Sequence, residues 1–133
     1  MTAIVPNEGE ALIANMIFKN ADVNRGTDLE LGLFTNASGL GETTGLTDLT
    51  EPTGGNYERK TLTDANWTGS GDTRAYALQT FTATGSAYNL SVYGYFIATT
   101  GTSPKLLGFE IDPNGPYVMM ENNAYDVTPT ATV

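Results

Sequence analysis

The residues of this chain best equipped for chemistry are its carboxylates, because it contains no His and no Cys. That absence removes imidazole bases, thiol nucleophiles, Ser-His-Asp triads and the usual zinc ligand sets, and it leaves no disulfide to form. The spacing Asn20-x-Asp22-x-Asn24-x-Gly26-x-Asp28 alternates oxygen-bearing side chains like the opening of a calcium loop, whose ligands fall at alternate positions. Gly26 comes one residue late, with Arg25 at the turn position, and Leu31 stands where a bidentate glutamate belongs. A turn built from Asn and Asp is the better reading, and we expect no metal. Asp112-Pro113-Asn114-Gly115 carries two further oxygen donors, but its Pro and Gly are placed as in a type I turn closing a hairpin. Glu42, Asp48 and Glu51, or Glu110 with Asp112, would serve a glycosidase only if held ~5–9.5 Å apart with separated pKa values. With fifteen acids in the chain some such pair always presents itself. The serines have no histidine partner, and no phosphate-cradling Gly-x-x-x-x-Gly-Lys segment occurs. We therefore expect a protein that is not an enzyme and takes no cofactor.

Recognition is the remaining chemistry. Tyr57, Arg59 and Lys60 form one cluster of aromatic and basic residues, and Trp67, Arg74 and Tyr76 form another. Exposed aromatics stack on sugars and anchor interfaces. Buried ones simply fill a core while an arginine pairs with a carboxylate, and this second reading suits a strongly acidic chain better. Tyr57, Arg59 and Trp67, together with Glu42, Asp48 and Glu51, are the candidate partner contacts.

The elements that position these residues follow from length and periodicity. A chain of 133 residues is one ordinary domain, and we expect a single domain over residues 1–133. A formal charge of −9 repels nucleic acid and anionic lipid, so neither is an expected partner. The opening Met1-Thr2-Ala3-Ile4-Val5-Pro6 has no basic residue and no long apolar run, so we expect no secretory leader. Asn7 and Glu10 have capping-box spacing, and Leu12, Ile13, Met16 and Ile17 form an apolar stripe at helical period. A helix over about 8–19 follows from these marks. Beyond Asn20 the period becomes two, with Leu29, Leu31 and Leu33 alternating with polar or small residues. Residues 35–56 hold five Gly and six Thr; this long polar loop exceeds an ordinary connection and carries few core-forming residues. Strands are expected at 56–62, 74–83, 90–99, 105–111, 117–120 and 125–132. The run Val92-Tyr93-Gly94-Tyr95-Phe96-Ile97-Ala98 is apolar on both faces and reads as a covered central strand. About seven or eight short strands and one N-terminal helix make an all-β domain, a β-sandwich or partly open barrel.

Several parts of the chain also carry a family resemblance. They are the opening Val5-Pro6-Asn7-Glu8-Gly9-Glu10, then Pro52-Thr53-Gly54-Gly55-Asn56-Tyr57-Glu58-Arg59-Lys60-Thr61-Leu62, Trp67, Phe81-Thr82-Ala83-Thr84-Gly85, and Val92 to Ile97, with Val127-Thr128-Pro129-Thr130-Ala131-Thr132 at the close. In this order they resemble small virion proteins of tailed bacteriophages. The resemblance implies a jelly-roll-like capsid decoration (cement) protein on the virion surface, assembled in the host cytoplasm. Such a protein binds the major capsid protein and copies of itself, and it has no catalytic residues to carry over. A tail or baseplate component, or a receptor- or glycan-binding module of a phage, is the alternative.

Overall fold

One α-helix, α1 (Asn7–Phe18), and eight strands form the regular structure of the computed structural model, which describes residues 3–18 and 25–133. Asn20, Asp22 and Asn24 of the calcium-like spacing lie outside the described residues. The strands are β1 (Leu29–Phe34), β2 (Lys60–Leu62), β3 (Thr73–Ala75), β4 (Gln79–Thr82), β5 (Gly94–Ala98), β6 (Leu106–Ile111), β7 (Ala124–Val127) and β8 (Thr130–Thr132). All pair antiparallel, in a four-stranded sheet of order β2-β1-β5-β6 and two pairs, β3-β8 and β4-β7. The chain is thus β-rich, with several antiparallel sheets and a single α-helix among the described residues.

The helix begins at Pro6, whose carbonyl accepts the Glu10 N–H at 2.9 Å. Asn7 therefore lies inside the first turn rather than capping it, and its N–H goes to the Glu42 carbonyl at 2.9 Å. Glu8, not Glu10, does the anchoring. Its Oε2 accepts the Leu46 N–H at 3.1 Å and the Leu106 N–H at 2.6 Å, and Oε1 lies 3.9 Å from Lys105 Nζ. One carboxylate so joins α1, the long loop and β6. Gly9 makes the contact close: a Cβ there would stand 2.5 Å from the Leu107 carbonyl oxygen. Gly9 and Leu12 are buried, whereas Met16, Ile17 and Phe18 stay exposed, so the expected apolar stripe is used only at its beginning.

The expected strand over 74–83 is broken into β3 and β4, and that over 125–132 into β7 and β8. The two broken strands face each other as one ribbon. Thr73 to Ala75 pair with Thr132 to Thr130, and Gln79 to Thr82 pair with Val127 to Ala124. Between the two ladders Tyr76, Ala77 and Leu78 oppose only Thr128 and Pro129, a one-residue bulge. Pro129 lacks the N–H needed to continue the ladder but still accepts the Tyr76 N–H at 2.9 Å. Only a bridge to Val92 marks the expected strand at 117–120, and β2 keeps only the last three residues of the expected 56–62. The Asp112 turn forms, with the Gly115 N–H on the Asp112 carbonyl at 3.1 Å, but it closes no hairpin: β6 before it pairs with β5, and Tyr117 after it bridges Val92. Ala3 bridges Ala131 of β8 and Ile4 bridges Phe109 of β6, so the opening residues stitch ribbon to sheet.

Two clusters form the core. The larger takes Leu31, Leu33, Tyr95 and Ile97 from one face of the sheet and Phe81, Tyr125 and Val127 from the ribbon. The smaller holds Phe34, Phe96, Ala98, Leu106 and Phe109. As expected, β5 is buried on both faces, Tyr95 and Ile97 opposite Phe96 and Ala98. The alternation fails just before it: Val92 joins the larger cluster and Tyr93 packs on the smaller, because the regular strand starts only at Gly94. The long loop covers the second cluster with Leu40, Leu46 and Leu49, contrary to its reading as a segment with little to bury. Its neck is closed by the Thr35 N–H on the Thr50 carbonyl at 2.7 Å and by Asn36, whose Oδ1 accepts the Thr50 N–H at 2.8 Å.

Candidate functional site

Three of the six candidate contacts meet in one place. Arg59 donates from Nε and Nη2 to the two oxygens of Glu51, at 3.0 and 2.9 Å, and from Nη1 to Glu30 at 3.1 Å. Its guanidinium lies over the Phe96 ring, 5.1 Å from the centroid. Tyr57 donates to Glu51 Oε1 at 2.7 Å and accepts the Leu33 N–H at 2.9 Å. The bidentate fork and the two carboxylates hold Arg59 above its usual range, Glu51 most of all. Burial pushes the Tyr57 hydroxyl upward as well, so it remains a neutral donor. Tyr57, Arg59 and Glu51 are therefore spent on tying the 51–59 segment to β1 and β5. Glu30 is the member that the sequence did not single out; its place opposite Ala98 in the β1-β5 register is a tertiary fact.

The other three candidates lie apart from this network. Asp48 is exposed and turns inward on its own segment, its Oδ2 accepting the Gly45 N–H at 2.7 Å. Glu42 is also exposed, and its backbone carbonyl, not its carboxylate, makes the contact to Asn7. Trp67 is half-buried, edge-on to Tyr76 with ring centroids 5.3 Å apart, and packs against the larger cluster.

Trp67 also lines an apolar groove of about 370 Å³. Leu12, Ile13 and Met16 of α1 form one wall, Ile97 and Leu107 the floor, and Arg25 and Arg74 lie at its border. Both arginines donate only to nearby backbone carbonyls among the described residues. The Trp67 indole N–H is buried there without a hydrogen-bond partner among the described residues. The end of α1, beyond the groove, is also apolar and exposed: Ile17 keeps 68% and Phe18 86% of its accessible area. Asp72 also lines the groove beside the two arginines, and an apolar patch with charged residues in its lining is what a protein interface needs.

A second cavity, of about 250 Å³, lies at the far end of β6 and is lined by Tyr95, Glu110, Asp112, Tyr125 and Asp126. Glu110 and Asp112, one of the carboxylate pairs visible in the sequence, thus do share a pocket. Among the described residues no three acidic side chains converge closely enough to hold a metal ion, and no helix is long and apolar enough to cross a membrane. Comparison with known proteins adds no relative: no family model matches this chain, and neither does a curated protein or a solved structure.

Proposed function

We propose that this protein is a structural subunit of a tailed-bacteriophage virion, a capsid decoration protein that binds the major capsid protein and further copies of itself. In this reading the four-stranded sheet and the bulged ribbon are the two layers of a jelly-roll-like β-sandwich, and the large cluster between them is its filling. The observation that carries the proposal is the apolar groove beside α1, together with the exposed apolar side chains of Met16, Ile17 and Phe18 at the end of that helix. The terminal parts of the chain, Val5, α1 and Val133, line the groove. The alternative, a glycan-binding or receptor-binding module, needs free aromatic platforms. Here Tyr57 is held by Glu51 and Leu33, and Trp67 is packed on Tyr76, which favours the decoration reading.

The test is cosedimentation of the purified protein with capsids that lack it. Binding should saturate at many copies per shell, and replacing Ile17 and Phe18 with Ser should abolish it while the melting temperature stays unchanged. If the protein ignores shells and is found only in isolated tails, the alternative holds instead.

A further inference from the structure

The structure holds a second site of a different character. Glu110 keeps only 6% of its accessible area, and neither of its carboxylate oxygens has a hydrogen-bond partner among the described residues. A buried carboxylate without donors is costly, several kcal/mol when ionised, and native folds seldom leave one so. Its neighbours relieve it only in part: burial outweighs the Tyr95 hydroxyl and the chain's α-amino charge, both of which favour the ionised form. Tyr95, its cross-strand partner, reaches the Thr130 carbonyl at 3.5 Å, the outer limit of a hydrogen bond. Tyr125 donates to Asp112 Oδ2 at 2.8 Å, and Thr80 donates to Asp126 Oδ1 at 2.6 Å. The groups facing Glu110 from β5, β7 and the turn after β6 are thus two tyrosines and two further carboxylates. None of these is a cation.

We propose that this pocket binds a primary alkylammonium group, whether from a free amine or from a lysine side chain, with Glu110 as its buried counter-ion. The lining selects the class. Three acids around one cavity favour a cation, and an ammonium brings three N–H donors to a cavity where Glu110 still lacks one. Among the described residues no three acids form a group that could hold a metal ion. A volume of about 250 Å³ with Val127 and two tyrosine rings in its wall leaves room for a short methylene chain behind the charge. Burial holds the empty-site carboxyl above the usual glutamate range, so an entering ammonium displaces a proton to solvent as the carboxylate forms.

The probe is n-butylammonium chloride at constant ionic strength, followed by the side-chain carboxyl carbon resonance of Glu110 in labelled protein. A saturable shift with proton release, absent with n-butanol, is expected. Nα-acetyl-lysine amide is the second arm: a matching shift shows that the pocket admits a lysine side chain, and none shows that only a free amine fits. Glu110→Gln should weaken butylammonium binding by about tenfold or more, the loss of a charge-assisted partner. The melting temperature of Glu110→Gln, expected to equal or exceed that of wild type, guards against reading a failure to fold as a failure to bind. Equal binding by Glu110→Gln, equal binding of butanol, or no saturable shift overturns the proposal. So does a Glu110 resonance that moves only when the chain's own α-amino group is blocked.

Discussion

At the scale of single residues, the Phe96 ring carries the most packing. It is fully buried in β5, its ring lies against Gly32, where a Cβ would stand 2.2 Å from it, and the Arg59 guanidinium covers the ring. Truncation leaves a cavity with flat walls on both sides that cannot close. Phe96→Ala should therefore cost ~3–5 kcal/mol in urea unfolding, the range for a large buried aromatic, whereas a loss under about 1 kcal/mol would mean the ring is not enclosed. Glu110 acts in the opposite direction. Its pKa is raised in the fold, chiefly by burial. As pH rises through the ordinary glutamate range, the unfolded chain releases the proton first and the fold retains it, so stability falls until the folded pKa is passed. Without added amine, wild type should lose stability relative to Glu110→Gln from mildly acidic pH upward. A difference that is flat with pH would place the carboxylate in water. Some of this residue chemistry was legible in the sequence. The acid-rich composition foretold that Arg59 would pair with carboxylates, and the doubly apolar run placed Phe96 inside. That Glu30 would complete the ion pairs, or that Glu110 would be the buried acid, depended on strand register, which no local pattern encodes.

At the scale of elements, the helix and the long loop were the hardest to weigh from sequence alone. Helical period marked α1 within one residue at each end, yet it could not tell that only Gly9 and Leu12 would be buried. The loop looked polar because Leu40, Leu46 and Leu49 follow neither a period of two nor one of 3.6, although together they cap the Phe34, Phe96 and Phe109 cluster. The 74–83 and 125–132 segments read as continuous because a single-residue bulge leaves their composition untouched, and only Pro129 hinted at the break. Glu8 is what couples helix to loop. Glu8→Ala removes the acceptor of two backbone N–H groups, Leu46 and Leu106. That should cost roughly 1–3 kcal/mol and speed hydrogen exchange at Leu46 well beyond its effect at Ile97; uniform acceleration would show that no separate tie is lost. Gly9→Ala offers a contest of two effects. Alanine favours a helix interior by about 1 kcal/mol over glycine, but here its Cβ would press on the Leu107 backbone at 2.5 Å. The backbone cannot give way cheaply, so the variant should melt lower than wild type; a higher melting temperature would mean that α1 does not rest on β6.

At the scale of the whole molecule, the proposed role in a capsid asks for one face that docks while the rest stays dispersed. The net charge of −9 keeps copies apart in solution, and the groove beside α1 supplies the contact area that this repulsion must not overcome. Arg25 and Arg74 line that groove with Asp72, so its charged lining is net positive in a chain that is otherwise acidic. Because Leu40 and Leu46 are part of the core covering, deleting residues 38–48 should unfold the protein, so the proposed docking surface is tested by point changes at the end of α1. A subunit that binds only the assembled lattice stabilises that lattice in proportion to its occupancy. Particles assembled without the protein should release DNA at a lower temperature, and adding wild-type protein back should restore the original value in a concentration-dependent way. The Ile17→Ser, Phe18→Ser double variant, folded but stripped of the apolar end, should fail to restore it. Equal robustness of particles with and without the protein, combined with loss of adsorption to cells, would move it from the shell to the tail.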